Sequence, residues 1–113
     1  MAKFEGANAN IRSKSAGNRV RGCHDLAALA GAEAVPALVY VMQTDNDYGV
    51  REACAAALGS LGANAKSGLP NLKAMMNHAC RDDLNAPKEV LDEMMKCADF
   101  KRAVRDALAK VQR

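Results

Sequence analysis

The chain has 113 residues, a formal net charge of +3, and a composition that is 50% apolar and 26% charged. Such a chain forms one domain or a short array of repeated units, and its composition is that of a folded protein rather than a disordered one. The charge is too small to imply a nucleic-acid or anionic-membrane partner. Only two Tyr, two Phe and no Trp are present. The apolar share therefore rests on Ala, Leu, Val and Met, which favours helices over a β-sandwich or barrel.

The sequence also predicts the cellular compartment. No apolar run approaches the roughly 20 residues of a membrane span, and the first residues lack the apolar core of a secretory signal. Cys23, Cys54, Cys80 and Cys97 are far apart, never form a C-x-x-C pair and lie in helix-like apolar runs. Cysteines in such runs act as small hydrophobes, so we expect free thiols in a reduced, cytoplasmic protein without membrane attachment.

In chain order, residues 1–15 are polar and rich in Gly, Asn and Ser, which predicts a flexible arm anchored only by Phe4 and Ile11. Apolar residues then recur at three- and four-residue steps from about residue 17 to 30, which is a helical stripe that Gly31 ends. A second helix begins around Pro36, in a first turn where its missing N–H costs nothing.

The stretch "TDNDYG" at 44–49 predicts a turn, in which Asp47 or Asp45 caps the next helix. That helix, from about residue 48 to 61, carries larger apolar residues on one face and small ones on the other. Small side chains allow another backbone to come close, so we expect this helix to lie between two neighbours. Gly62 ends it, and a further helix begins near Pro70.

The last third predicts two more helices. A short one near residues 86–97 follows Pro87, and Asp99 is expected to cap a final helix. The short helix is interpreted as an insertion into a domain that covers residues 16–113.

An internal repeat relates these segments. Pro36 and Pro70 are 34 residues apart, and Val50-Arg51 corresponds to Val104-Arg105. Self-similarity of this kind is typical of stacked arrays, in which one unit cannot bury its apolar face alone. The pattern resembles a HEAT repeat, which has a first helix with an early Pro, Asp residues before a Val-Arg pair, and an Ala/Leu-rich second helix. The resemblance implies an all-α fold, a short right-handed α-α superhelix of about six helices. The matching turn residues are Asp45, Asp47, Arg51, Asp99 and Arg105.

The resemblance implies a non-enzymatic scaffold or adaptor that binds a protein or peptide by shape, in a groove formed by the second helices. Alignment of the repeats gives the groove residues as Glu52, Ala55, Ala56, Gly59, Asp106 and Lys110. No cofactor is expected. Because the array is short and its ends have little cover, we also expect self-association into a homo-oligomer.

Two alternatives stay open. One is nucleic-acid binding through a basic cluster at Arg12, Lys14, Arg19 and Arg21 and a second one along the C-terminal helix. The other is a chromophore lyase, an activity that some HEAT-like proteins have, with His24 or His78 as the residues to test.

A metal site is not predicted. Asp45 and Asp47 lack the remaining ligands of a calcium loop. His24 and His78 lie one and two residues from a cysteine, and such neighbours point to different faces of a helix.

Overall fold

The computed structural model describes residues 9–83 and 85–112, most of which form five α-helices. They are α1 (Ala16–Ala30), α2 (Val35–Thr44), α3 (Tyr48–Ser60), α4 (Leu69–Met76) and α5 (Lys88–Gln112). Two 3-10 segments, Gly31–Ala34 and Gly62–Gly68, join α1 to α2 and α3 to α4. No strand occurs within these described ranges. The all-α prediction is confirmed.

The helices form two layers. In one layer α3 lies between α1 and α5 and packs against both. In the other, α2 packs against α3 and α4 packs against α5. The hairpins α2–α3 and α4–α5 therefore stack beside each other, with α1 as the remaining helix of a leading unit. The result is a flat body of 49 × 33 × 15 Å, and the solenoid-like fold is confirmed.

Equivalent residues begin and end the two hairpins. Pro36 and Pro70 both occupy the first turn of the leading helix of their hairpin. There the ring removes an N–H that has no partner within the helix. Gly31 and Gly62, which follow α1 and α3, both have positive φ, 57° and 54°. Side chains are disfavoured in that conformation, so glycine allows both turns.

The largest fully buried side chains lie where the layers meet. They are Phe100, Leu38, Met42, Leu58 and Leu72. Each helix contributes one apolar stripe to this shared interior, so no hairpin has a separate core.

The C-terminal third differs from the sequence-based prediction. The expected helix near 86–97 and the expected helix after Asp99 are one continuous helix of 25 residues. Asp99 lies inside it and caps nothing. No Gly or Pro interrupts residues 88–112, and the buried residues Cys97, Phe100 and Val104 continue one stripe across the predicted boundary. The described residues contain these five α-helices and further helical backbone at residues 9–11, in agreement with the prediction of about six helices.

The prediction of free cysteines is wrong. Cys23 of α1 bonds to Cys54 of α3, and Cys80 bonds to Cys97 of α5. The two sequence separations, 31 and 17 residues, gave no indication of pairing. Pairing depends on which helix faces meet, and spacing along the chain does not show that.

The predicted arm is packed where the structure describes it. Residues 1–8 lie outside the described part of the chain. Ile11 is only 5% exposed. A Cβ atom on Gly22 of α1 would come within 2.5 Å of the Ile11 backbone nitrogen. Ile11 is therefore held directly against α1.

One stretch, Ala16–Thr44, is long and apolar enough to cross a membrane, judged by length and composition only. The prediction that no segment passes this test is thus wrong. The core helix of a folded protein passes the same test, and in the structure the backbone turns at Gly31 within the stretch. The helices on either side of that turn both pack against α3.

Candidate functional site

A cleft of about 230 Å³ lies between α3 and α5. Small residues line part of it, namely Ala56 and Gly59 from α3 and Ala103 and Ala107 from α5. Charged residues line the rest, and they are Glu52, Asp99, Arg102, Asp106 and Lys110. We refer to these nine residues as the α3–α5 groove.

The close approach of the two helices depends on small residues. A Cβ atom built on Gly59 would lie 3.0 Å from the Cα atom of Ala107 and 3.2 Å from its Cβ atom. Two helix backbones come this close only when at least one side chain at the contact is missing. The predicted need for small residues on the second face of α3 is thereby explained, because that face receives α5.

The structure brings most of the sequence-predicted binding residues together. Glu52, Ala56, Gly59, Asp106 and Lys110 all line the α3–α5 groove. Ala55 does not, since it is fully buried in the core. One residue along a helix is a rotation of about 100°, which takes position 55 away from the groove that position 56 lines. Including Ala55 in the binding face was therefore wrong.

The charges of the groove differ in whether they are paired. Arg102 donates from Nη1 to Oδ1 of Asp99 at 3.3 Å, one helical turn earlier. Within the described residues, no ion pair engages Glu52, Asp106 or Lys110. Two carboxylates and one ammonium group are thus available to charges on a partner.

The turn before α3 links the first two units. Arg19 of α1 donates to both carboxylate oxygens of Asp45, with a shortest distance of 2.8 Å from Nε to Oδ2. Asp45 Oδ1 also accepts from the backbone N–H of Asp47. Asp47 in turn caps α3, accepting from the backbone N–H of Val50 at 3.1 Å. Both aspartates therefore have structural partners that occupy their carboxylates.

Arg51, which the repeat pattern groups with the turn residues, makes its hydrogen bonds to α2 rather than to the turn aspartates. Its Nε donates to the backbone oxygen of Met42 at 2.7 Å, and its Nη2 donates to that of Gln43 at 3.4 Å. Both oxygens belong to the last turn of α2, where carbonyls have no partner within the helix. The buried guanidinium of Arg51 thus caps the C-terminus of α2, where positive charge is also favoured by the helix dipole.

Asp99 and Arg105 do not repeat this arrangement. Both lie within α5, far from any turn, and the Arg105 side chain is exposed. Their assignment as turn residues was wrong.

An aromatic cluster that the sequence did not predict surrounds Arg51. Its guanidinium carbon lies 4.8 Å from the centre of the Phe100 ring and 5.1 Å from that of Tyr48. The hydroxyl of Tyr48 is 2.8 Å from Nε2 of His78. Burial, followed by the positive charges of Arg51 and Lys101, lowers the pKa of His78. The cluster joins α3, α5 and the segment after α4 at one place.

A second cavity of about 250 Å³ lies beside this cluster. Its lining includes Tyr48, His78, Arg81, Glu93 and Cys97. The sequence carried no signal for it, because Tyr48 and His78 are 30 residues apart.

No group of three or more His, Cys, Asp or Glu side chains in the described ranges is placed to hold a metal ion. All four cysteines are in disulfides, so none offers a thiolate as ligand or nucleophile.

The two basic clusters lie on different helices. The first lies on and before α1 and the second on α5, and α3 packs between these helices. Arg19 is moreover paired with Asp45. The nucleic-acid alternative stays a prediction, tested by whether any binding to DNA or RNA weakens steeply as salt rises.

Comparison with known families gives a match over most of the chain. The family model for HEAT repeats matches residues 9–91 of this chain, which is more than half of its length. No curated protein and no solved structure matches.

Proposed function

The chain belongs to the HEAT-repeat family, and on that premise we propose that it is a non-enzymatic adaptor that binds a protein or peptide in the α3–α5 groove. HEAT repeats commonly mediate protein–protein interaction, and the family is generally of the scaffold type. The observation that carries the proposal is the groove itself, a cleft between successive second helices that combines small residues with unpaired charges.

The shape of the groove favours a side chain or helix turn from the partner. Ala56 is exposed and Ala103 is half-buried, so a partner group that enters meets little obstruction from either helix. The walls on both sides belong to regular helices that pack tightly at Gly59 and Ala107. A preformed site of this kind binds without ordering its own backbone, which lowers the entropic cost of association.

The unpaired charges give the groove its selectivity. Glu52 on α3 and Asp106 on α5 favour a partner with a basic side chain, while Lys110 favours an acidic group farther along α5. Charges at a partly exposed site contribute more to orientation and association rate than to affinity. We therefore expect binding to slow as salt rises, with a smaller effect on dissociation.

The test uses a bulky charged group placed in the groove. A photo-crosslinking amino acid at position 103 first identifies the partner in extracts of the native host. Binding of the purified partner to the purified chain is then measured by calorimetry. Ala56→Arg is expected to weaken the dissociation constant about tenfold or more, because the new side chain occupies the groove.

The matched control is Ala74→Arg, the same change at an exposed position of α4 in the opposite layer. It should leave the dissociation constant within about twofold. Equal loss in both variants, or unchanged binding by Ala56→Arg, would contradict the proposal.

A second copy of the chain is a further proposed partner. Stacked units bury apolar surface against their neighbours, and a second copy of the chain can supply such a neighbour, which supports self-association. The large apolar side chains exposed within the described residues, Leu29, Tyr40 and Met95, lie on three different helices. Light scattering across micromolar concentrations tests the idea, and a constant monomer mass removes it.

The cytoplasmic location expected from the sequence stays a proposal. The two disulfides argue against it, because cytosolic thiols are normally kept reduced. Rapid acid quenching of intact cells followed by thiol alkylation decides the matter. Alkylation of Cys80 and Cys97, with or without the other pair, supports a cytoplasmic location, and four protected cysteines oppose it.

A further inference from the structure

The two disulfides lie in very different surroundings. Cys23 and Cys54 are both fully buried between α1 and α3. Cys80 is half-buried and lies outside any helix, whereas Cys97 is 2% exposed and borders the second cavity. The second disulfide thus borders open space at Cys97, while the first is enclosed by the core.

The Cys80–Cys97 disulfide holds one stretch of chain. Residues 77–83, which we call the latch segment, follow α4 and contain no helix. The Cys80–Cys97 bond ties this segment covalently to α5. A hydrogen bond between Tyr48 and His78 links the latch segment to α3. The residues of the segment are exposed or half-buried. A segment with so few buried contacts depends on its cross-link for its position.

We propose that Cys80–Cys97 is a reducible latch, opened in the native protein by small thiols that enter the second cavity, while Cys23–Cys54 stays closed. The exposure of the two pairs carries the inference, because thiol–disulfide exchange requires a thiolate to approach a sulfur atom directly. Opening the latch frees the segment from α5 and widens the second cavity, and it leaves the pairing of α1 with α3 in place.

The reaction is a two-electron reduction by a small monothiol. The thiolate of one monothiol molecule forms a bond to one sulfur of the pair as the Cys80–Cys97 bond breaks. The electron pair of the broken bond goes to the departing sulfur, which takes a proton from water. A second monothiol molecule, as thiolate, attacks the mixed disulfide at the monothiol's sulfur and releases the other cysteine, which is also protonated. Two monothiols are thereby oxidised to their disulfide, and Cys80 and Cys97 become thiols.

The first experiment measures which disulfide opens. Oxidised full-length protein is treated with reduced glutathione in native buffer, quenched with iodoacetamide at intervals, digested and analysed by mass spectrometry. We expect Cys80 and Cys97 to be alkylated about ten times faster than Cys23 and Cys54. Denatured protein is the control, and there the difference should shrink to about twofold or less.

Three outcomes would overturn the latch. They are equal rates for both pairs in native buffer, faster reaction at Cys23 and Cys54, and absence of the Cys80–Cys97 bond in protein folded under oxidising conditions.

The second experiment measures what the opening does. Tyr40, which is 67% exposed, is replaced by Phe, so that Tyr48 becomes the sole tyrosine. Reduction should change Tyr48 fluorescence, because its hydroxyl loses the partner at His78 that the latch segment supplies. Hydrogen exchange of residues 77–83 should accelerate about tenfold or more, and exchange in α1 and α3 should not change.

The Cys80→Ser/Cys97→Ser variant in the same background should match the reduced protein in both measurements without any thiol added. If hydrogen exchange of the latch segment in that variant and in the reduced protein equals that of the oxidised protein, the disulfide does not restrain the segment, and the proposal fails.

Discussion

The helices α3 and α5 carry the same Val-Arg pair, and the pair does different things in each. In α3, Val50 is fully buried and Arg51 caps α2 while it stacks on two aromatic rings. In α5, Val104 is equally buried, but Arg105 is exposed. Burial of the valine requires only that it lie on the apolar stripe of its helix. The capping role of the arginine requires the C-terminus of another helix within hydrogen-bond distance. A repeat motif thus keeps its packing role more readily than its polar role.

The largest expected effect tests that contrast directly. Arg51→Ala removes a buried guanidinium and leaves two carbonyls of α2 without a donor, so we expect a loss of about 2–3 kcal/mol in unfolding free energy. Arg105→Ala is the matched control at the corresponding exposed position, and its effect should stay within about 0.5 kcal/mol. Urea denaturation followed by circular dichroism measures both. Similar losses in the two variants would contradict the contrast.

The next prediction concerns the contact between the two helices. Gly59→Ala places a Cβ atom 3.0 Å from the Cα atom of Ala107, so α5 must shift, and we expect a cost of about 1–3 kcal/mol. Gly17→Ala in α1 is the control, because its nearest contact would be an ordinary 3.7 Å. That change should stabilise the protein by about 0.5–1 kcal/mol, since alanine favours helix. Thermal unfolding measures the sign of the stability change in each variant. A Gly59→Ala variant that is more stable than the unsubstituted chain would disprove the close packing.

A smaller effect separates the two predicted turns. Asp47→Ala removes the N-cap of α3 and should cost about 1 kcal/mol, whereas Asp47→Asn should retain most of the stability. Asp99→Ala only breaks an exposed pair with Arg102 inside α5, and the expected loss is below about 0.5 kcal/mol. Urea midpoints rank the variants. A loss at Asp99 as large as that at Asp47 would restore the predicted turn at residue 99.

The smallest effect depends on pH and concerns the cluster that joins α3 to α5. Burial and nearby positive charge hold the pKa of His78 below its ordinary value of 6.5. The unfolded chain therefore binds a proton at higher pH than the native protein does. Stability contributed by neutral His78 is complete above pH 6.5, declines as pH falls through 6.5 toward the native pKa, and is lost below it.

The measurement compares urea midpoints between pH 7.5 and 5.5 for three proteins. His78→Gln should flatten the decline relative to the unsubstituted chain, and His24→Gln, at an exposed position of α1, should not. An equal slope in all three would remove His78 as the cause.

The central hairpin could be predicted from sequence because its signals are local. Pro36 in a first turn, Asp47 at an N-cap and Gly62 after the helix each act through their own backbone. The alternation of large and small residues in α3 likewise indicated two neighbours. The groove residues came instead from the resemblance and the alignment of the repeats, and five of the six line the α3–α5 groove.

The rest depends on contacts between distant segments, which spacing does not reveal. The disulfide partners, and the approach of Tyr48 to His78, become visible only when the helices are placed. The error at Asp99 had another cause, since alignment to α3 imposed a boundary on a run without a helix breaker. Ala55 was misplaced because neighbouring residues on a helix face different directions.

The cross-links divide the array unevenly. Cys23–Cys54 joins α1 to α3, and Cys80–Cys97 lies within the last hairpin, so neither bond spans α3 and α5. The groove therefore lies at the contact between α3 and α5, and only non-covalent packing sets the width of that contact. A partner bound there, as proposed, would contact a cross-linked block on one side and a helix held by packing alone on the other. We expect a bulkier partner to displace the last hairpin as a unit and to leave the first two units in place.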